Sequence, residues 1–435
     1  MLTFLGFAMV IAFMYLIMSK RLTALIALIL VPIIFALFGG FAAQIGPMML
    51  AGITKLAPTG VMLMFAILYF ALMIDSGLFD PAVRKILKMV KGDPMRISVG
   101  TAVLALVVSL DGDGATTYMI CVAAMLPLYS RVGMSPRIMA GLIILAGGVM
   151  NMTPWGGPTA RAASALHVDA SDIFVPMIPA MLAGVVAILA IAYFYGKRER
   201  AHLGELHLKG DEVDHSEISV SQFPDARRPK LIWFNGALTF ALMVALIMGL
   251  LPLPVLFMIA FSIAMIINYP NLQDQKDRVS AHAGSVLAVV GLIFAAGIFT
   301  GILSGTGMVD AMSKSLLAVI PDALGPYLAV ITALVSMPFT FFMSNDAFYY
   351  GVLPVLSEAA AHYGISPVEM ARASIVGQPV HLLSPLVPST YLLVALAGIE
   401  FGDHQRFTLK WAILVCLCIL VAALLMGIFP FYSSM

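Results

Sequence analysis

The sequence predicts an all-α polytopic membrane protein made of two inverted repeats, and three observations carry that reading. Only 11% of the 435 residues are charged and 61% are apolar, whereas a soluble domain carries roughly a quarter charged residues because its surface must face water. Many apolar segments approach or exceed the about 20 residues that a helical bilayer span requires. Four further apolar stretches are interrupted by polar residues, and these interruptions fall into two matching pairs. The 24 Lys and Arg balance 23 Asp and Glu to a net charge of +1, which supplies neither the basic field of a nucleic-acid binder nor the acidic run of a disordered regulator. Cys121, Cys416 and Cys418 lie scattered in apolar runs. The Cys-x-Cys pair lacks a second ligand pair, so a disulfide scaffold or a structural metal site is not expected.

Long apolar segments fall at about 3–18, 22–38, 60–75, 173–195, 231–249, 252–269, 284–303 and 407–430. The first is expected to be a retained span rather than a signal peptide, because no Lys or Arg precedes it and Lys20-Arg21 follow it. Between these segments come the polar breaks: Asp111-Gly-Asp-Gly-Ala-Thr-Thr117, Asn151-Met-Thr-Pro-Trp-Gly-Gly-Pro-Thr159, Ser344-Asn-Asp346 and Ser384-Pro-Leu-Val-Pro-Ser-Thr390. Unwound backbone survives at membrane depth only where protein or a polar cavity satisfies it, so four breaks imply such a cavity. The stretch Lys197 to Lys230 holds seven Lys or Arg, interspersed acids and three His without a fixed short spacing. It reads as a solvated loop joining two halves.

The halves align. Gly133 to Thr159 laid on Gly364 to Thr390 without a gap gives nine identities in 27 positions, and Asp113 falls opposite Asp346 after a two-residue gap. Residues 76–96 carry Arg84, Lys85, Lys88, Lys91 and Arg96, while the counterpart 304–325 carries only Lys314. By the positive-inside rule the first segment is cytoplasmic and the second external, so the repeats are inverted. The expected organisation is a first repeat over 1–196 with a re-entrant hairpin at 97–130 and a broken helix at 138–166. A cytoplasmic linker at 197–230 follows, then a second repeat over 231–435 with hairpin 326–362 and broken helix 368–399. Each repeat has three spans, a hairpin, a broken helix and a final span, giving about ten crossings plus two hairpins, with both termini outside. Inverted repeats with discontinuous helices that meet near the midplane are the signature of secondary transporters.

At Ser109-Leu-Asp-Gly-Asp-Gly-Ala-Thr-Thr-Tyr118, at Asn151 to Thr159 and at Tyr15-Leu-Ile-Met-Ser-Lys-Arg-Leu22, the chain resembles the bacterial citrate-metal/proton symporters, the CitMHS family of the ion transporter superfamily. The likeness runs nearly end to end. It implies uptake of citrate chelated to a divalent cation of the Mg or Ca type, driven by protons and without a prosthetic group. It also implies a homodimer in the bacterial cytoplasmic membrane, with an elevator-type transport domain moving against a scaffold. Sodium-coupled members of the superfamily carry Ser-Asn-Thr at their hairpin tips. Here the tips read Asp111-Gly112-Asp113-Gly114 and Ser344-Asn345-Asp346, so carboxylates that can take a metal or a proton stand in place of the sodium ligands.

Free citrate carries about three negative charges at neutral pH, and its divalent chelate about one. Helix N-termini at the breaks favour carboxylates, and Gly112, Gly114, Gly156 and Gly157 let backbone approach them. Thr116, Thr117, Asn151, Thr153, Thr159, Ser344, Asn345, Ser384, Ser389 and Thr390 can add neutral hydrogen bonds or cap the helices. Asp111, Asp113 and Asp346 lie in otherwise apolar segments, where an ionisable group marks a functional site. Such acids can ligate a hard cation, take up protons or cap a hairpin helix, with Asp113 and Asp346 the expected coupling pair as repeat equivalents. Arg161 can neutralise the chelate's residual charge, snorkel to the outer surface or hold a carboxylate, and His381 can carry a proton or be a satisfied core residue. Trp155 reads as packing; Asp75, Asp80 and Asp310 read as caps of the amphipathic segments that follow them.

A proton- or sodium-coupled carrier of free di- or tricarboxylates is the alternative within transport. An intramembrane aspartyl protease is disfavoured, because Leu110 stands where Gly-x-Gly-Asp requires its first Gly and Asn345 rather than Tyr precedes Asp346. A passive channel is disfavoured because hairpins closing on a midplane site suit alternating access.

Overall fold

The helices of the chain follow its hydropathy, and their ends follow its Gly, Pro and capping residues. A computed structural model describes residues 1–90, 92–112, 114–203, 223–318, 321 and 323–433. The first half runs α1 (Leu2–Met18), α2 (Ala24–Phe38), α3 (Ile45–Asp75), α4 (Asp80–Val90), α5 (Pro94–Val108), α6 (Gly114–Val132), α7 (Pro136–Met150), α8 (Gly157–Leu166) and α9 (Ala170–Leu203). The second runs α10 (Ile232–Ile247), α11 (Leu253–Asn268), α12 (Leu272–Gly305), α13 (Met308–Leu317), α14 (Leu328–Phe342), α15 (Leu353–Ala361), α16 (Pro367–Ser374), α17 (Gln378–His381), α18 (Pro388–Ala397) and α19 (Phe401–Leu425). The order of the first half recurs: three helices, a short amphipathic helix, a helical pair, a helix broken in its middle and a final long helix. Among the described residues, six helices are long and apolar enough to cross a membrane. Six more are apolar but shorter, including Leu2–Ile17 and Pro136–Met150.

Local chemistry places the ends. The Asp93 carboxylate accepts from the Met95 amide at 3.0 Å, capping α5, and Pro94 fills the first helical position, where no backbone donor is needed. Ser366 and Glu369 form a reciprocal capping box on α16, again with Pro at the first helical position. The turn between α5 and α6 needs a left-handed residue, supplied by Gly112 at φ +78°. Between α14 and α15 the chain leaves the helix at Met343 and re-enters through a π-helical turn, Ala347–Val352.

Two helix crossings organise the core. The long helices α3 and α12 touch backbone to backbone, and a Cβ added at Gly52 would lie 1.9 Å from the Gly297 carbonyl oxygen. Small residues allow that approach, which gains dispersion contacts in a lipid-like surround. The two broken helices cross at Gly148, where an added Cβ would lie 2.5 Å from the Pro379 Cα. Gly148 and Pro379 occupy equivalent positions in the alignment of the halves.

Hydropathy starts the third span near residue 60 and the seventh near 284, yet the helices begin at Ile45 and Leu272. Lys55, Pro58 and the charged start of α12 depress local hydropathy without stopping the helix. The helices resume at Gly114, Gly157 and Pro388, so Thr116, Thr117, Thr159 and Thr390 sit in first turns rather than in unwound backbone. Asp75 does not cap a helix: its carboxylate accepts from Arg278 at 3.1 Å and pairs with His282 at 2.8 Å.

Candidate functional site

Two cavities meet at Gly112. The larger, about 720 Å³, has walls from α3 (Leu63, Ile67, Phe70, Ala71, Ile74) and α12 (Ala288, Val289, Leu292, Ile293). Gly112, Ala115, Thr116, Trp155, Gly157 and Arg161 also line it, as do Asp75, His282 and Phe223. That volume falls within the about 300–1,000 Å³ usual for small-molecule sites. The smaller, about 160 Å³, is lined by Ser109, Gly112, Gly114, Thr117, Tyr118, Gly147, Asn151, Leu382 and Ser389. It joins the tip of the first hairpin to both helix breaks.

The wall residues explain the positions. Trp155 packs at 4.8 Å from Phe70 and 5.5 Å from Phe257, and its indole N–H donates to the Leu110 carbonyl at 2.9 Å, which ties the α7–α8 break to the hairpin tip. Gly156 is sterically obligatory, since a Cβ there would lie 2.0 Å from the Asn151 carbonyl oxygen. The Thr159 hydroxyl donates across the break to the Met152 carbonyl at 2.9 Å, and its counterpart Thr390 donates to the Leu382 carbonyl at 2.5 Å. These two hydroxyls close the breaks. Ser384 donates to the Phe341 carbonyl at 2.6 Å and accepts from the Leu386 amide, and Ser344 accepts from the Ala347 amide. Ser344, Ser384, Thr159 and Thr390 thus spend their hydroxyls on backbone groups at the breaks.

A different set has no protein partner. The hydroxyls of Ser109, Thr117 and Thr153 and the amide oxygen of Asn345 are buried without a hydrogen bond. Buried polar groups are rarely left so, and each unpartnered one carries a desolvation cost of about 1–3 kcal/mol. Ser109 and Thr117 face the smaller cavity. Asn151 also lines it, donating from its side-chain amide to Gln378 at 3.3 Å, and Gln378 in turn donates to the Tyr349 hydroxyl at 3.0 Å.

Arg161 and Asp346, from opposite halves, form an ion pair at 2.6 Å, with side chains 22% and 16% exposed. Arg161 also donates to the Gly157 carbonyl at 3.1 Å, so the α8 start and the second hairpin tip are held together. Among the roles open to Arg161, the contact formed is the one with a carboxylate, that of Asp346. His381 is buried, and its Nδ1 lies 2.7 Å from the Thr340 carbonyl, which requires Nδ1 to carry the hydrogen. Asp111 contributes its backbone to a short 3-10 turn before Gly112. Asp113 lies outside the described residues, so its pairing with Asp346 rests on sequence equivalence. Among the described residues, no three His, Cys, Asp or Glu side chains group as metal ligands.

Sequence reasoning missed Ser109, Gln378 and the Asp75–Arg278–His282 cluster. Gln378 had a signal, as a lone amide in an apolar stretch. The cluster had none, because Arg278 and His282 lie 203 and 207 residues from Asp75.

Comparison with known proteins fits this geometry. A family model described as "Citrate transporter", CitMHS, matches residues 7–377. The chain belongs to the CitMHS citrate transporter family. It is a transporter family and not an enzyme family. A "Citrate transporter" of Bacillus subtilis (strain 168) is 62% identical over 431 residues, covering 99% of this chain and 100% of that one. A "Mg(2+)/citrate complex secondary transporter" of the same organism is 55% identical over 428 residues, covering 98% and 99%. Among solved structures, the YdaH transporter of Alcanivorax borkumensis superposes with TM-score 0.57 at 16% identity, covering 90% of each chain. MtrF of Neisseria gonorrhoeae gives TM-score 0.61 at 14% identity over 89% and 84%. The CitMHS chain thus shares the all-helical, multi-span membrane fold of these transporters.

Proposed function

We propose that the protein is a secondary active transporter that imports citrate as its complex with a divalent cation, together with protons. The observation that carries this reading is the smaller cavity. It gathers the first hairpin tip and both helix breaks around buried hydroxyls, Ser109 and Thr117, that no protein group satisfies. An oxygen-rich, singly charged chelate supplies the acceptors those hydroxyls lack. Helices α8 and α18 start without a side-chain cap, so their first amides and dipoles can receive citrate carboxylates. The relative named for the Mg(2+)/citrate complex, 55% identical along nearly the whole chain, supports the chelate as cargo.

In this reading Thr116, Thr117, Asn151, Thr153, Asn345 and Ser389 contact the cargo. Thr159, Ser344, Ser384 and Thr390 shape the breaks, and Asp111, Asp113 and Asp346 serve cation or proton coupling. Arg161 releases or recaptures Asp346 as the cargo's charge arrives, and His381 locks the second broken helix to α14. The backbone contact of Gly148 with Pro379 places equivalent positions of the halves against each other, which supports a two-fold relation between inverted repeats. The two helices α3 and α12 then form the scaffold wall and the hairpins with the broken helices the moving part. The larger cavity is the passage between them.

Uptake of radiolabelled citrate into proteoliposomes, with Mg, Ca or a chelator present and with an imposed pH gradient, tests the proposal. Uptake is expected to require divalent metal and to be accelerated by an inward proton gradient. Uptake unchanged by metal removal would leave the free di- or tricarboxylate carrier as the function.

A further inference from the structure

One exposed face of α9 changes character along its length. Residues four apart stack into a single ridge on a helix, and Leu182, Val186, Ala190, Phe194, Arg198 and His202 form such a row, all of them exposed. Its first four members are apolar, with Leu182 at 59%, Val186 at 65% and Phe194 at 50% exposure. The last two are basic-type side chains. Where the ridge turns basic it borders a groove of about 580 Å³ between α9, the start of α7 and α19, whose lining includes Arg137, Arg198 and His202. Glu199 is the one acid lining it.

The change happens at a band of aromatic rings. Phe194, Tyr195 and Trp411 lie within 5.5–5.9 Å of one another. The Trp411 indole donates to the Tyr195 hydroxyl at 2.7 Å, and Lys410 sits over the Trp411 ring. Amphipathic rings with long cations beside them mark the level of the lipid headgroups. We propose that this ridge and groove form a binding site for an acidic phospholipid, its phosphate between Arg137 and Arg198 and an acyl chain along Leu182, Val186 and Phe194. Charge complementarity and the sequence of the ridge, apolar and then cationic over one helix, match a single molecule with a hydrocarbon tail and an anionic head. The site is remote from the two transport cavities and does not depend on the identity of the cargo.

The test is lipid binding by native mass spectrometry of the full-length protein in detergent, titrated with dioleoyl-phosphatidylglycerol or dioleoyl-phosphatidylcholine. The phosphatidylglycerol is expected to bind selectively. The double variant Arg137→Gln/Arg198→Gln is expected to weaken it about 30-fold, the worth of two cations near the headgroups. Arg137→Lys/Arg198→Lys is expected to retain most of the binding. Arg84→Gln/Lys88→Gln, which removes as much charge elsewhere, is expected to leave binding unchanged. Equal weakening by that control would overturn the site in favour of diffuse surface charge. Displacement by millimolar inorganic phosphate would make it a free-anion site. Loss of a dimer peak, rather than of bound lipid, in a Leu182→Ser/Val186→Ser variant would make the ridge an interface between copies.

Discussion

Hydroxyls that look alike in the sequence do different work, and the difference is measurable. Thr159 and Thr390 spend their hydrogens closing the helix breaks, so Thr159→Val or Thr390→Val is expected to cost about 1 kcal/mol of stability, seen as a lower unfolding midpoint in detergent. Thr117 has no partner. Thr117→Val is expected to leave that midpoint unchanged or raise it, while raising the KM for citrate uptake; a fall in midpoint with an unchanged KM would contradict its role as a cargo contact. For the Arg161–Asp346 pair, Arg161→Gln and Asp346→Asn are each expected to destabilise by about 1–3 kcal/mol, because each strands a partly buried charge. The double variant is expected to lose less than the sum. That these residues stand out was legible, since ionisable groups in apolar segments are conspicuous. That Arg161 holds Asp346 was not, because periodicity says nothing about a partner 185 residues away.

At the scale of elements, the sequence marks interruptions better than it marks ends. Gly, Pro, Asn and Ser clusters betray the four breaks, since such residues stop helices by backbone chemistry alone. The start of α3 was illegible for the opposite reason. Lys55 and Pro58 look like a boundary, but tertiary contacts with α12 hold the helix through them. The contact between those helices has its own test. Gly52→Ala puts a methyl group against the Gly297 carbonyl. It is expected to reduce folded yield and lower the unfolding midpoint by more than the about 1–3 kcal/mol of ordinary overpacking, whereas Gly284→Ala, where nothing lies within 4 Å of the new methyl, is expected to be neutral or stabilising.

For the molecule as a whole, the distribution of Lys and Arg predicts which segments face the cytoplasm. Single cysteines placed at Arg84 and at Ser433, in a background where the partly exposed Cys418 is replaced, are expected to react with a membrane-impermeant thiol reagent from opposite sides. Labelling of both from the same side would remove the inverted topology. The all-helical, multi-span fold followed from composition, and the recurrence of breaks in the two halves from their alignment. The cavity's shape did not, because it is set by how far α3 and α12 stand from the hairpin tip, a distance that no local pattern encodes.

The Arg161–Asp346 pair also has a consequence for biosynthesis. Arg161 leaves the ribosome 185 residues before its counter-ion, and at about 5–20 residues per second the interval is about 10 to 40 s. In the proposed topology, the nascent first half during that time holds an uncompensated guanidinium at membrane depth. The insertion machinery, or water drawn in beside the half-made hairpin, must shelter it. Release of the chain before Asp346 is made is therefore expected to leave a fragment that membrane quality-control proteases degrade faster than the same fragment carrying Arg161→Gln, in a pulse-chase comparison.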